Sequence, residues 1–101
     1  MSGASSFMKT VERLESLLRS GLDPVALRIE DESHLHAGHA GARGGGGHYR
    51  VTVVAAVFEG LALVARHRKV YALLADEMKG AVHALALTTL TPDEARARDG
   101  A

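Results

Sequence analysis

Imidazole groups are the most prominent chemical feature of this 101-residue chain, which has six histidines and no cysteine. Neutral imidazole is a common transition-metal ligand, and a soft metal centre here would need thiolates from another molecule. One histidine, His83, stands in an apolar segment, where it could equally be a strand-end residue bonded to backbone. Four others lie in or near a glycine-rich stretch, where they could be solvated or weakly chelating: His34, His36, His39 and His48.

A basic run, defined as Arg66, His67, Arg68 and Lys69, is the second candidate site. Such a run is most often a solvated helix face, and it also suits docking of an acidic protein or contact with nucleic-acid phosphates. Acidic and basic residues balance to a formal charge of zero, so no global field draws the chain onto nucleic acid.

Residue types of a nucleophilic triad occur at Asp31, Ser33 and His34. They are too close in sequence to converge easily, and the chain has no nucleophile elbow or phosphate-binding glycine loop. We therefore expect no enzyme activity, and we predict that Asp31 and Ser33 shape the turn that opens the following loop.

The first half of the chain predicts a helix and two strands. Apolar residues between 7 and 18 recur at helical spacing, with Ser5 or Ser6 as the cap and Gly21 as the stop. Alternation over residues 25–31 predicts a half-buried strand. Residues 33–47 read as a mobile loop, followed by a second strand over residues 49–56. Because only a loop joins them, these strands should be antiparallel.

The second half predicts helices and a third strand. Residues 61–78 have helical composition, with a break near residues 66–68 and a stop at Gly80. Val82 to Leu87 predicts a strand on which His83, Leu85 and Leu87 share one face. Thr91, Pro92 and Glu94 combine a helix cap, a first-turn proline and a capping-box acid, so they predict a short helix.

Together these elements predict an α/β (α+β) fold in one domain over residues 1–101, with a core from about 5 to 95 and a disordered tail after about 96. The order is helix, strand, strand, helices, strand, helix, with a three-stranded mixed sheet and helices mainly on one face. The sequence contains neither a membrane span nor a secretory signal pattern, which predicts a cytoplasmic location. Arginine outnumbers lysine, as is typical of GC-rich bacterial genomes.

The region from Ile29 to Glu94 resembles the BolA family through an ordered set of short motifs. The order and spacing of the set, rather than any single motif, carry the resemblance. The motifs are DES at 31–33, HYRVTVV at 48–54, FEG at 58–60, RHRKVY at 66–71, VHAL at 82–85 and TP at 91–92.

The resemblance implies a class II KH-like fold and a [2Fe–2S] cluster shared with a monothiol glutaredoxin. In that arrangement the VHAL histidine, here His83, and a loop histidine, here His36 with His39 as substitute, ligate the cluster. Glutathione and a glutaredoxin cysteine supply the thiolates. The chain departs from the family at Gly44 to Gly47, where polar residues are usual, and at Ala95, where tryptophan is common.

The resemblance also leaves open a DNA-binding transcriptional regulator that uses the basic run and the flank of the second strand. KH-like folds bind nucleic acid, but the Gly-x-x-Gly clamp between helices is missing from this sequence. Whether the free protein forms a homodimer is also left open.

Overall fold

The computed structural model describes residues 9–33 and 47–100. It confirms the predicted α+β fold, its order of elements and its three-stranded mixed sheet. In chain order the elements are α1 (Thr10–Leu22), β1 (Ala26–Asp31), β2 (Gly47–Val54), a 3-10 turn (Ala56–Phe58), α2 (Leu63–Leu73), a 3-10 turn (Glu77–Lys79), β3 (Val82–Leu90) and α3 (Pro92–Gly100).

The sheet has the order β1-β2-β3, so β2 is the central strand. β1 runs antiparallel to β2, with Ile29 opposite Val51, which confirms the predicted pairing. β2 runs parallel to β3, with Val51 opposite Leu87. The crossover between these parallel strands contains α2, as a parallel connection requires.

The hydrophobic core lies between one face of the sheet and the helices α1 and α2. Alternate residues of β2 point into this core, and α1 and α2 supply residues three and four positions apart. Fully burying an aliphatic or aromatic side chain stabilises the fold by about 1.5–3 kcal/mol. The largest fully buried side chains are Phe58, Leu14, Leu18, Leu74, Val51, Val53, Val70 and Val82.

Gly21 lies inside α1 and does not end the helix, contrary to the prediction. A Cβ atom at Gly21 would lie 2.5 Å from Cδ2 of Leu73, so the glycine allows α1 to approach α2 closely. The helix instead ends at Leu22 and is capped by Asp23, which adopts a left-handed φ of 47°. The predicted caps Ser5 and Ser6 lie outside the described residues.

α2 is continuous through the basic run, so the predicted break near residues 66–68 is wrong. Arg66 points inward with Val70, and both are buried because they lie four residues apart on one helix face. The helical path is interrupted after Leu73 and resumes in the 3-10 turn, which Gly80 ends as predicted.

α3 begins with the predicted capping box. The backbone N–H of Thr91 donates to Oε1 of Glu94 at 2.9 Å, and the N–H of Glu94 donates to Oγ1 of Thr91 at 3.1 Å. The helix extends to Gly100, beyond the boundary at about residue 96 from which we predicted a disordered tail. Across residues 9–33 and 47–100, no helix is long and apolar enough to span a membrane.

Candidate functional site

His83 lies in a β-bulge at the start of β3. Gly47 of β2 pairs with Val82, but the next pair joins His48 to Ala84, so His83 is an extra residue in β3. A bulge in a parallel strand pair is uncommon, and bulges often redirect a side chain beside a functional site. The bulge therefore marks this end of the sheet as a candidate site.

The bulge changes which residues of β3 face the core. Val82 is 1% exposed and belongs to the core, and Leu85 and Leu87 also pack against it. His83 is exposed. The prediction that His83 shares a face with Leu85 and Leu87 is wrong, because one extra residue shifts the alternation of side chains between the two faces.

The ring of His83 contacts the ring of His48 on the neighbouring strand. Their centroids are 5.4 Å apart and the ring planes are inclined at 51°. His48 is half-buried, and its Nε2 atom is buried. We call His48 and His83 the histidine pair. In this pair the ring of His48 is partly buried and the ring of His83 is exposed to solvent.

The backbone of His48, at the start of β2, is hydrogen-bonded to the two residues that follow β1. Its N–H donates to Oγ of Ser33 at 3.0 Å, and its carbonyl accepts from the N–H of Glu32 at 2.7 Å. The N–H of Ser33 in turn donates to Oδ1 of Asp31 at 2.9 Å, which confirms the predicted turn. Ser33, after which the connection begins, and His48, near where it ends, therefore lie next to each other at the histidine pair.

The predicted loop ligands His36 and His39 lie outside the described residues, as does His34. In the described part of the chain, no group of three or more histidine, aspartate or glutamate side chains is placed to hold a metal ion. The exposed imidazole of His83 suits a ligand of a shared iron–sulfur cluster, because such a centre accepts imidazole beside thiolates, and this chain has no cysteine to supply a thiolate itself.

A shallow cavity of about 280 Å³ lies beside His48. The small side chains of Ala84 and Ala86 border it on β3. On the opposite side, Nε of Arg50 donates to Oε2 of Glu32 at 3.1 Å. Because these alanines leave little side-chain bulk on this face, the surface next to the histidine pair has room for a group from another molecule.

Arg66 is not an exposed member of the basic run, which corrects the prediction that it contacts a partner or nucleic acid. The residue is only 9% exposed. Its Nε donates to the carbonyl of Leu61 at 2.9 Å, and its Nη1 donates to the carbonyl of Thr89 at 3.3 Å. Both Nη atoms also bind the carboxylate of Glu94. Arg66 therefore has a structural role.

The Arg66 contact shifts the ionisation of both partners. The hydrogen bond from Arg66 is the largest cause that lowers the pKa of Glu94 from 4.5 to about 2, and the backbone hydrogen bond from Thr91 adds to it. The hydrogen bond with Glu94 raises the pKa of Arg66. Both groups are therefore charged at neutral pH.

The rest of the basic run is accessible on the outer face of α2. Arg68 and Lys69 are exposed, and His67 is half-buried. Three large apolar side chains of the same helix are also exposed, with Leu63 at 58%, Val64 at 62% and Tyr71 at 38%. This surface therefore combines positive charge with apolar area, a combination that suits protein contact as well as phosphate binding.

His48 is the feature that sequence reasoning missed, since it was grouped with the loop histidines. The apolar and β-branched run that starts at Tyr49 placed the start of the strand two residues too late, because β2 begins at Gly47. No sequence pattern could have paired His48 with His83, because the bulge that brings the two rings together has no reliable sequence signal.

Comparisons with known proteins cover the region that holds these features. Residues 18–94 match the family model described as BolA-like protein. The chain is 41% identical over 101 residues to "Protein BOLA1, chloroplastic" of Arabidopsis thaliana, which covers 97% of this chain and 63% of that protein. It is also 42% identical over 83 residues to "DNA-binding transcriptional regulator BolA" of Escherichia coli. That match covers 82% of this chain and 76% of that protein.

A third relative is a longer protein. The chain is 45% identical over 87 residues to "SufE-like protein 1, chloroplastic/mitochondrial" of Arabidopsis thaliana, spanning 81% of this chain but 24% of that protein. Among solved structures, BolA1 from Arabidopsis thaliana superposes with a TM-score of 0.76 at 43% identity, covering 87% of this chain and 97% of the other. The chain thus spans less than two thirds of the length of both plant relatives.

Proposed function

Because the chain belongs to the BolA-like protein family, we propose that it is an adaptor that shares a [2Fe–2S] cluster with a monothiol glutaredoxin, in iron–sulfur trafficking or iron sensing. The observation that carries this proposal is the exposed ring of His83, held in a bulge beside His48. Imidazole ligation in place of thiolate reduces the negative charge around iron and raises the reduction potential.

In this proposal the chain supplies two of four ligands, and glutaredoxin with glutathione supplies two thiolates. His83 is the first ligand. His36 is the second, with His39 as its substitute. Ser33 bonds to His48, and the three residues from Ser33 to His36 span at most about 11 Å when extended, which is enough to reach the histidine pair.

The accessible part of the basic run is the proposed docking surface for glutaredoxin. Arg68 and Lys69 supply charge, while Val64 and Tyr71 supply apolar area on the same helix. Arg66 is left out because its guanidinium is bonded inside the fold. The proposal also keeps the predicted cytoplasmic location and assigns the chain no catalytic residue.

The test is to mix the chain with a cluster-loaded monothiol glutaredoxin and record visible absorption and circular dichroism. We expect the native chain to change the spectrum. Lys79→Ala should change it equally, because this exposed residue lies outside the histidine pair and the basic run. His83→Ala should abolish the change, and His36→Ala should weaken it more than His39→Ala. An unchanged spectrum with the native chain would contradict the proposal.

A second candidate is a DNA-binding transcriptional regulator, because a relative from Escherichia coli carries that name. This function would use Arg68 and Lys69 with the flank of β2. Phosphate binding falls steeply with ionic strength, by a slope of about 0.9 for each phosphate neutralised, whereas cluster sharing should depend on salt far less. DNA retardation that persists in His83→Ala but disappears in Arg68→Ala would favour this candidate.

A further inference from the structure

The histidine pair has a geometry that suits a metal ion without any partner protein. With metal–nitrogen bonds of about 2.1 Å and tetrahedral angles, two imidazoles on one ion have centroids about 5 Å apart. The observed separation is 5.4 Å. The separation of the His48 and His83 rings therefore matches that of two imidazoles on one ion.

The local backbone favours this site because it fixes the two backbone positions from which the rings project. His48 lies in the central strand β2 and is bonded through its backbone to Ser33 and Glu32. His83 is fixed by pairing on both sides of the bulge, at Val82 and Ala84. Chelation of an ion then has only the side-chain torsions of the two histidines left to order, and no backbone.

The accessibility of the pair is consistent with ion entry from solvent. His83 is exposed, and Ala84 and Ala86 leave space beside His48. Arg50, the nearest cation that borders this cavity, is paired with Glu32 at 3.1 Å, which offsets its repulsion of a metal ion. Imidazole ligands suit Zn²⁺, Ni²⁺ and Cu²⁺, and water would fill the remaining coordination positions.

We propose that His48 and His83 together bind one divalent transition-metal ion in the chain alone. The site needs neither glutaredoxin nor glutathione, so it goes beyond cluster sharing. It also predicts competition, because an ion chelated by His83 blocks that ring from ligating a cluster.

The test is a calorimetric titration of the chain with Ni²⁺ at fixed pH, without glutaredoxin. His48→Ala and His83→Ala should each weaken binding by at least about tenfold, and the double variant should be no weaker than either single variant. This non-additivity is expected because a chelate is lost when either ligand is removed. His67→Ala, which changes a histidine on α2, should bind like the native chain.

A triple variant, His34→Ala with His36→Ala and His39→Ala, separates this site from the histidine-rich segment. Retained binding in the triple variant supports the pair. Loss of binding in the triple variant, or native binding in the double variant, overturns the proposal. His83 is exposed, so His83→Ala should fold even if His48→Ala does not, and Ni²⁺ should raise the Tm of the native chain but not of His83→Ala.

Failure of this inference is distinguishable from failure of the proposed function. A chain that binds no Ni²⁺ can still change the spectrum of cluster-loaded glutaredoxin, because thiolates from the partner then complete the coordination. A chain that binds Ni²⁺ through the pair but leaves that spectrum unchanged would retain the metal site and lose the adaptor role.

Discussion

Arg66 holds the carboxylate of Glu94 through two parallel hydrogen bonds, with Nη1 2.6 Å from Oε1 and Nη2 3.1 Å from Oε2. The same guanidinium reaches the backbone of Leu61 and Thr89, and its carbon lies 6.0 Å from the centre of the Phe58 ring. One side chain of α2 thereby fixes β3 and α3. Paired guanidinium and carboxylate groups are among the stronger polar contacts in proteins.

Removing Arg66 should destabilise the fold. Arg66→Ala leaves the carbonyl groups of Leu61 and Thr89 without their donor, and α3 loses its attachment to α2. We expect the Tm to fall by several degrees in differential scanning calorimetry. The control is Arg96→Ala, which breaks an exposed pair with Asp93 on α3 and should leave the Tm nearly unchanged. Equal Tm values for the two variants would contradict the assigned role of Arg66.

The Glu94 carboxylate should make stability depend on pH in the acid range. Its pKa is lowered from 4.5 to about 2 in the folded chain, so its contribution is full above about pH 4.5 and is lost as the pH falls toward 2. Urea unfolding of the native chain and of Glu94→Gln should therefore show a gap at pH 6 that narrows by pH 3. A gap that stays constant from pH 6 to 2 would show that this carboxylate is not responsible.

Gly60 should resist substitution because of its backbone conformation. Its φ is +80°, although a Cβ atom there would meet nothing within 4 Å. Gly60→Ala should lower the free energy of unfolding by about 1–2 kcal/mol, the cost of a side chain in left-handed backbone. Gly80→Ala is the matched control, since Gly80 has equally open surroundings and a φ of −152°. Chemical denaturation of both variants would measure the difference.

Charge reversal on α2 should weaken the proposed glutaredoxin complex. Arg68→Glu places a negative charge on the proposed docking surface, and we expect its Kd for glutaredoxin to rise about threefold to tenfold at low salt. Arg28→Glu makes the same change on β1, at the opposite edge of the sheet from β3, and should leave the Kd unchanged. Calorimetry at two ionic strengths would test this, and equal effects of the two variants would place docking elsewhere.

The predictions from sequence succeeded where a local pattern has one physical reading. Alternation through Leu27 and Ile29 predicted β1, and the Thr91–Glu94 capping box predicted the start of α3. They failed where a distant contact decided the outcome. Gly21 is of a residue type that often ends a helix, but here it is inside α1, where the close approach of Leu73 on α2 leaves no room for a side chain. Arg66 is of a residue type that usually lies on the surface, but its guanidinium is hydrogen-bonded to Thr89 and Glu94, which are distant in sequence.

At the candidate site, too, the sequence predicted what a local motif determines and missed what contacts between distant residues determine. His83 could be singled out from its motif, whereas its orientation depends on one unpaired residue in the β2–β3 register. His48 had no comparable signal, because its importance comes only from the strand opposite it. The assignment of His36 or His39 as a loop ligand stays a prediction, since both lie outside the described residues.

The attachment of Glu32 and Ser33 to the backbone of His48 has a consequence for protein engineering. Because the anchoring bonds lie at the two ends of the connection, foreign peptides inserted between residues 34 and 46 should leave the sheet intact. Each doubling of such a connection costs only about 0.6 kcal/mol in closure entropy. The position should therefore accept an epitope tag or a reporter sequence, whose ends would lie next to two imidazole rings.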